Sequence, residues 1–148
     1  MRTLSHHTKD KGDQGLGFVL ATLLKTNIQV ALPLSEHLPF DLIAISMRGE
    51  LRRVSVKYRA MKNGSIEVLL RSTWRNATGA VQSYLEPGQV YVHAVFCPDT
   101  GECYFIPESD LSTSKGFSLR ILPSKNGQKT GIKLATDFKD PMRMFSPE

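Results

Sequence analysis

From Leu51 to Tyr58 the chain alternates: Val54, Val56 and Tyr58 interleave with Arg53, Ser55 and Lys57. Successive side chains of a strand point to opposite faces, so this run predicts a strand with one apolar face and one carrying Arg53, Ser55 and Lys57. Upstream lies Leu38-Pro39-Phe40-Asp41-Leu42-Ile43-Ala44-Ile45, which predicts a second strand over Asp41 to Met47 headed by an acid. A three-residue loop, Arg48-Gly49-Glu50, sets Asp41 opposite Lys57 and Ile43 opposite Ser55 on one side of the sheet. Directly opposed Cβ atoms are about 4.5–5.5 Å apart. A loop shorter by one residue would throw Asp41 and Lys57 onto opposite faces.

The remaining elements follow from periodicity and turn residues. Leu16, Val19, Leu20, Leu23 and Leu24 form a helical stripe, with Asp13 as the expected N-cap after Gly12 and Asn27 as terminator. A short strand is expected over Ile28 to Leu32, stopped by Pro33, with a loop over Ser35 to Pro39. Asn63-Gly64 is a hairpin signal leading into Ile66 to Arg71. Ser72 to Gly88 reads as a long loop with at most a short helix. Strands follow at Tyr91 to Cys97, Cys103 to Ile106 and Phe117 to Leu122, then a turn at Lys125-Asn126-Gly127 and a short helical segment over Ile132 to Phe138. A helix, several strands and a mixed C-terminus imply an α+β fold around one mixed sheet.

With 148 residues the chain has the length of a single domain over residues 1–148, of which 1–10 read as a flexible tail. No run approaches the roughly 18 apolar residues that would span a bilayer. The polar N-terminus has no signal-peptide core, and two cysteines are too few for a disulfide framework, so the expected compartment is the cytoplasm. The net charge of +5 is unevenly spread. Arg48, Arg52, Arg53, Lys57, Arg59, Lys62, Arg71 and Arg75 face only Glu50 and Glu67 in the same stretch, and Lys115, Arg120, Lys125, Lys129 and Lys133 form a second basic run. Clustered cations of this kind gain free energy by displacing counterions from a polyphosphate; the plainer alternative is a solvated strand face. Strands bearing Arg52, Lys62, Arg71 and Arg75 would fit a major groove, some contacting phosphates and a few reading bases.

The Asp41–Lys57 pair has a chemical use. Phosphodiester hydrolysis needs a hard cation to neutralise phosphate oxygens and lower the pKa of the attacking water. Mg²⁺ is commonly held by one or two carboxylates together with phosphate and water, and an adjacent ammonium can orient the water or stabilise developing charge. The plainer alternative makes Asp41 a strand cap and Lys57 a surface charge. Glu67 and Asp13 are further candidate acids. Cys97 and Cys103 flank a tight turn and could pair, or bind zinc with His93, but a structural zinc site wants four ligands at closer spacing, so two reduced cysteines are the better reading. Trp74 could stack on a base or fill an interface.

Several segments carry a family resemblance. They are Lys11-Gly12-Asp13, Leu38-Pro39-Phe40-Asp41-Leu42-Ile43, Arg53-Val54-Ser55-Val56-Lys57, Lys125-Asn126-Gly127-Gln128-Lys129 and, most specific, the run Phe96-Cys97-Pro98-Asp99-Thr100-Gly101-Glu102-Cys103-Tyr104-Phe105-Ile106-Pro107. In their order and span they resemble the PD-(D/E)XK nuclease superfamily, and within it the small endonucleases encoded in bacterial group I introns. The resemblance implies a restriction-endonuclease-like core of mixed sheet flanked by helices, and divalent-metal cleavage of double-stranded DNA at a specific site. It also implies assembly into a homodimer or homotetramer and a bacterial or phage origin. It places Asp41, Ser55 and Lys57 in the catalytic motif, with Asp41 holding Mg²⁺ or another divalent cation. Two positions depart from the pattern: Ser55 stands where the family carries Glu or Gln, and Leu16 where a helix glutamate is expected. The alternatives are therefore a weakened or inactive DNA-binding relative, or a junction-resolving or repair nuclease on the same fold.

Overall fold

A computed structural model describes residues 7–76, 79–84, 88–113, 115–123, 126–127 and 131–146, with only the backbone described for 71–76 and 80–84. Its first element, α1 (His7–Lys25), begins earlier than expected. Asp13 is therefore an exposed residue of the second turn and not a cap, and residues 7–10, assigned to a flexible tail, are helical. Lys9, Asp10, Lys11 and Gln14 are polar residues that a solvent-facing helical turn accommodates, and Asp10 lies in the first turn, where the helix dipole favours an acid. The predicted terminator holds. Asn27 adopts φ 62°, its N–H donates to Leu24 O (3.1 Å), and the Ile28 N–H donates to Leu23 O (2.9 Å). That is a Schellman closure with its apolar contact, since Leu23 and Ile28 are both buried in the same cluster.

The central sheet is mixed, as expected. It contains β1 (Gln29–Ala31), β2 (Leu42–Ile45), β3 (Leu51–Tyr58), β7 (Val92–Cys97) and β8 (Glu102–Pro107), in the order β1-β2-β3-β7-β8. Only β3 and β7 run parallel; the other neighbours are antiparallel. The crossover between β3 and β7 holds β4 (Ser65–Leu69), β5 (Arg71–Asn76) and β6 (Gly79–Tyr84). β4 pairs with β9 (Gly116–Arg120), and β5 with β6, so two small sheets accompany the large one. The segment read as a long loop is thus a hairpin. Thr73, Trp74, Val81 and Tyr84 are strand-favouring residues that outweigh the Gly, Asn and Ser among them, and Asn76 pairs with Gly79 across a two-residue connection. Asn63 and Gly64 do make the expected turn, with φ 53° and 79°, and Lys62 and Ser65 exchange both backbone hydrogen bonds. The chain then leaves its neighbour and pairs β4 with β9.

Each face of the central sheet has its own core. On one, Leu42, Ala44, Val54, Val92, Ala94 and Phe96 pack under Val19 and Leu23 of α1 together with Met144 and Phe145 from the C-terminal end. Gly15 lets α1 lie close behind β3: a Cβ there would sit 3.4 Å from the Tyr58 Cβ and 3.7 Å from the Lys57 carbonyl oxygen. On the other face, Val95, Cys97, Tyr104 and Ile106 meet Ile66 and Val68 of β4, Leu119 of β9, and Ala135 and Phe138 of a 3₁₀ turn (Ala135–Phe138). That turn lies within the helical segment expected over Ile132 to Phe138. No helix among the described residues is long and apolar enough to cross a membrane.

His93 is wholly buried on this second face, its ring 5.9 Å from that of Phe117. Burial first, and the positive charge of Lys57 second, push its pKa down to about 4. The folded state therefore holds a neutral imidazole where the unfolded chain takes up a proton near pH 6.5. Native stability should accordingly be full above about pH 6.5 and fall as pH drops toward 4, by roughly 3 kcal/mol in all. Chemical denaturation across that window should show the loss, and His93→Phe should flatten it. A second expectation concerns Gly116, where an added Cβ would lie 2.5 Å from the Val68 carbonyl oxygen. Gly116→Ala should destabilise the protein by about 1–3 kcal/mol through strain in the β4–β9 pair, read as a lowered melting temperature.

Candidate active site

The turn between β2 and β3 decides which residues meet. Ser46 N–H donates to Glu50 O (2.9 Å), Gly49 N–H donates to Ser46 O (2.9 Å), and Gly49 takes φ 86°. The loop is thus Met47-Arg48-Gly49, one residue earlier than expected, and Leu42 pairs with Val54. This moves the register by two residues. Asp41 falls beside Ser55 and not opposite Lys57, and Ile43 pairs with Arg53 and not with Ser55. A two-residue shift preserves the alternation, so Asp41, Arg53, Ser55 and Lys57 still share one side. The Asp41 N–H donates to Val54 O (2.9 Å), and its carboxylate Oδ2 accepts from the Val56 N–H (2.7 Å). The acid is pinned by the strand it serves.

Beyond β3, the parallel pairing with β7 sets Ser55 beside His93 and Lys57 beside Val95. Asp41, Ser55 and His93 therefore line up across three adjacent strands, with Lys57 one step further along β3. Ser55 is buried and Asp41 exposed, so the line runs from solvent into the core. Burial lowers the Lys57 pKa, and Arg59 lowers it further, while Asp41 pulls the other way. The ammonium is held half-buried, with the carboxylate as its nearby counter-charge.

Other candidate residues separate from this line. Glu67 is exposed on β4, whose Ile66 and Val68 point to the core, and β4 pairs with β9 and not with the central sheet. It does not approach Asp41 across the sheet. Asp13 sits on α1, which covers the opposite face, and Leu16 packs into that core. Cys97 pairs with Glu102, and Cys103 with Phe96, so the two thiols lie on opposite faces in separate cores. Both are free, and neither a disulfide nor a shared zinc ion fits that arrangement. Among the described residues no three of His, Cys, Asp and Glu converge to hold a metal, which leaves Asp41 as the carboxylate of the line.

The basic residues divide into two kinds. Arg48 pairs with Glu50 at 2.7 Å and donates to Ser146 O (2.5 Å). Arg52 donates to Met144 O (2.9 Å), contacts Glu50 (3.3 Å) and stacks 4.5 Å over the Tyr91 ring. Both tie the C-terminal end to the sheet. Arg53 is exposed on the side of Ser55 and Lys57 and donates to Gly88 O; Arg59 donates to the Tyr58 carbonyl (2.8 Å), and Lys62 is exposed. Arg71 and Arg75 are on β5 with Trp74, and their side chains lie outside the described residues. The residue that sequence reasoning undervalued is His93, weighed there only as a zinc ligand. Its signal was a single polar residue inside the apolar run Tyr91 to Cys97, but its neighbour in the sheet depends on a parallel pairing across a long crossover.

Comparison with known proteins agrees with this fold. No curated protein matches the chain. Among solved structures, a bacterial homing endonuclease, I-Ssp6803I, has the same fold, with a TM-score of 0.70 at 20% sequence identity over 90% of this chain and 89% of that one. The family described as PD-(D/E)XK endonuclease matches residues 6–141. That match spans nearly the whole sequence, and the chain belongs to the PD-(D/E)XK endonuclease family.

Proposed function

We propose that this protein is a site-specific, double-strand DNA endonuclease of the intron-homing type, hydrolysing phosphodiester bonds with Mg²⁺ or another divalent cation. The observation that carries the reading is the grouping of Asp41, Ser55 and Lys57 on one side of β2 and β3 in a chain of this family. The residues fit a hard cation of modest protein coordination. Asp41 is exposed and oriented by the Val56 N–H, which suits a site completed by substrate phosphate and water. When bound, the cation would neutralise phosphate charge and make water a better nucleophile. Asp41 would hold it, and Lys57 would donate to the scissile phosphate or position the water. Ser55, uncharged, would contribute a hydroxyl hydrogen bond. Arg53, Arg59 and Lys62, with Arg71 and Arg75 on the hairpin, would supply phosphate contacts and a few base contacts.

The described residues hold one such line, so cutting both strands calls for two copies, and we infer a homodimer or homotetramer. Exposed Leu32 and Leu34, just beyond the edge strand β1, offer apolar surface for that assembly. A single domain acting in the cytoplasm completes the reading. The observation that Asp41 is the lone carboxylate of the line favours one rival, a DNA-binding relative with weakened or lost cleavage.

The deciding experiment is incubation of the full chain with a pool of random-sequence duplexes and Mg²⁺, followed by capture of new ends. Cleavage should appear with Mg²⁺, vanish with chelator, and drop by at least about a hundredfold in Asp41→Ala and Lys57→Ala, in the range expected for removing electrostatic stabilisation of the transition state. Salt-sensitive duplex binding without cutting under any metal would decide for the rival, and preference for a four-way junction would decide for a junction-resolving enzyme. Cutting that survives chelator would overturn the mechanism.

A further inference from the structure

Three cations from three segments meet at one end of the β4–β9 pair. Arg120, the last residue of β9, stands opposite Ser65 of β4, and Ser65 bridges to Lys62 across the Asn63-Gly64 turn. The Arg120 N–H donates to Lys133 O (2.7 Å), its Nη1 donates to Asn63 O (3.1 Å), and the Ile121 N–H donates to Gly64 O (2.9 Å). Backbone bonds thus hold the segments of Lys62, Arg120 and Lys133 together. Arg120 lines two grooves at once. One, of about 780 Å³, also has Lys62, Ser65 and Glu67 in its wall, and the other, of about 350 Å³, has Ser65, Phe117 and Lys133. Among the described residues none of the three cations pairs with an acid, and the exposed Glu67 is the lone carboxylate of either groove. Arg48 and Arg52 spend their guanidinium groups on the fold; Arg120 spends one N–H of its five on Asn63 O.

We propose that these grooves form a second phosphate site, in which Arg120, Lys62 and Lys133 hold backbone phosphates of the bound duplex other than the scissile one. The inference rests on the duplex-binding reading above and adds Arg120 and Lys133 to its contacts. Placement supports it. β4 and β9 cover the same face of the central sheet that carries Asp41, Ser55 and Lys57, and the smaller groove reaches from Phe117, whose ring is 5.9 Å from that of His93, to Arg120. Arg59 and Lys62 follow Lys57 along the chain to the turn that Arg120 bonds. A guanidinium offers phosphate oxygens N–H donors in a fixed plane, and the two ammonium groups add point charges that adapt to it. Contacts of this kind read no sequence; they fix where the duplex lies over the cleavage line. Glu67 opposes them by repelling phosphate and so holds the affinity down.

The test measures binding of the full chain to duplex DNA in chelator, as a function of salt. Arg120→Gln and Lys133→Gln should each weaken binding alike for all sequences and lower the slope of log K against log salt by about one. Glu67→Gln, an exposed change on the groove wall, should tighten binding, a gain that loss of folding cannot mimic. Lys25→Gln removes the same charge from α1, on the opposite face, and should leave the slope unchanged. Wild-type slopes in both groove variants, an equal loss in Lys25→Gln, or unaltered affinity in Glu67→Gln would overturn the proposal. The buried Arg120 Nε–H gives a signal for ¹⁵N NMR of the unmutated chain. Duplex should shift it, and a shift with inorganic phosphate but none with duplex would assign the site to free phosphate and overturn the proposal. Altered slopes in a chain that binds but never cuts would leave this site standing and sink the nuclease reading. Cutting by a chain whose slopes ignore Arg120 and Lys133 would do the reverse.

Discussion

The antiparallel pairing of β2 with β3 is the constraint on which the rest depends. It is closed at one end by the Ser46–Glu50 turn and at the other by Asp41, whose backbone and side chain both bond to β3. In a sheet buried on both faces, register is not adjustable in steps of one, because each step exchanges the residues of the two cores. Leu42, Ala44 and Val54 must meet α1, and that requirement alone sends Asp41, Ser55 and Lys57 to the other side. The site is the complement of the first core. It needs no separate device to assemble it.

This explains how much was readable beforehand. The parity of β3 was legible because alternation of Val54, Val56 and Tyr58 with Arg53, Ser55 and Lys57 is a local property. The register within that parity was not, since a loop starting at Met47 and one starting at Arg48 differ by a turn hydrogen bond that composition does not reveal. The terminator at Asn27 was legible because few residues adopt a left-handed backbone; the start of α1 was not, because exposed polar turns carry no apolar stripe. The hairpin of β5 and β6 was hidden by its turn-forming residues. His93 lay beyond reach for a topological reason: its partner is separated by the whole crossover, and parallel neighbours are not specified by any short-range signal.

The positive charge of the chain serves two ends that a count merges. Arg48 and Arg52 spend their hydrogen bonds on Glu50, Met144 and Ser146, and so act as clasps for the C-terminal end, with Arg52 also stacked on Tyr91. Arg53 is directed to the same side as Ser55 and Lys57. Neighbouring arginines on one strand thus belong to different faces and different tasks, as the period of two requires. An estimate of phosphate contacts from the sequence total would overstate them.

The hairpin of β5 and β6 ends where it starts, since Arg71 pairs with Tyr84 and, among the described residues, the two strands pair only with each other. That pairing holds its two ends side by side. Lengthening or trimming it by residue pairs shifts neither β4 before it nor β7 after it, and so leaves the line of Asp41, Ser55 and His93 in place. A chain built this way can change the ribbon, and with it the DNA contacts proposed for Arg71 and Arg75, without moving the residues of the cleavage line. Variation in related sequences would accumulate there faster than in the strands that flank it.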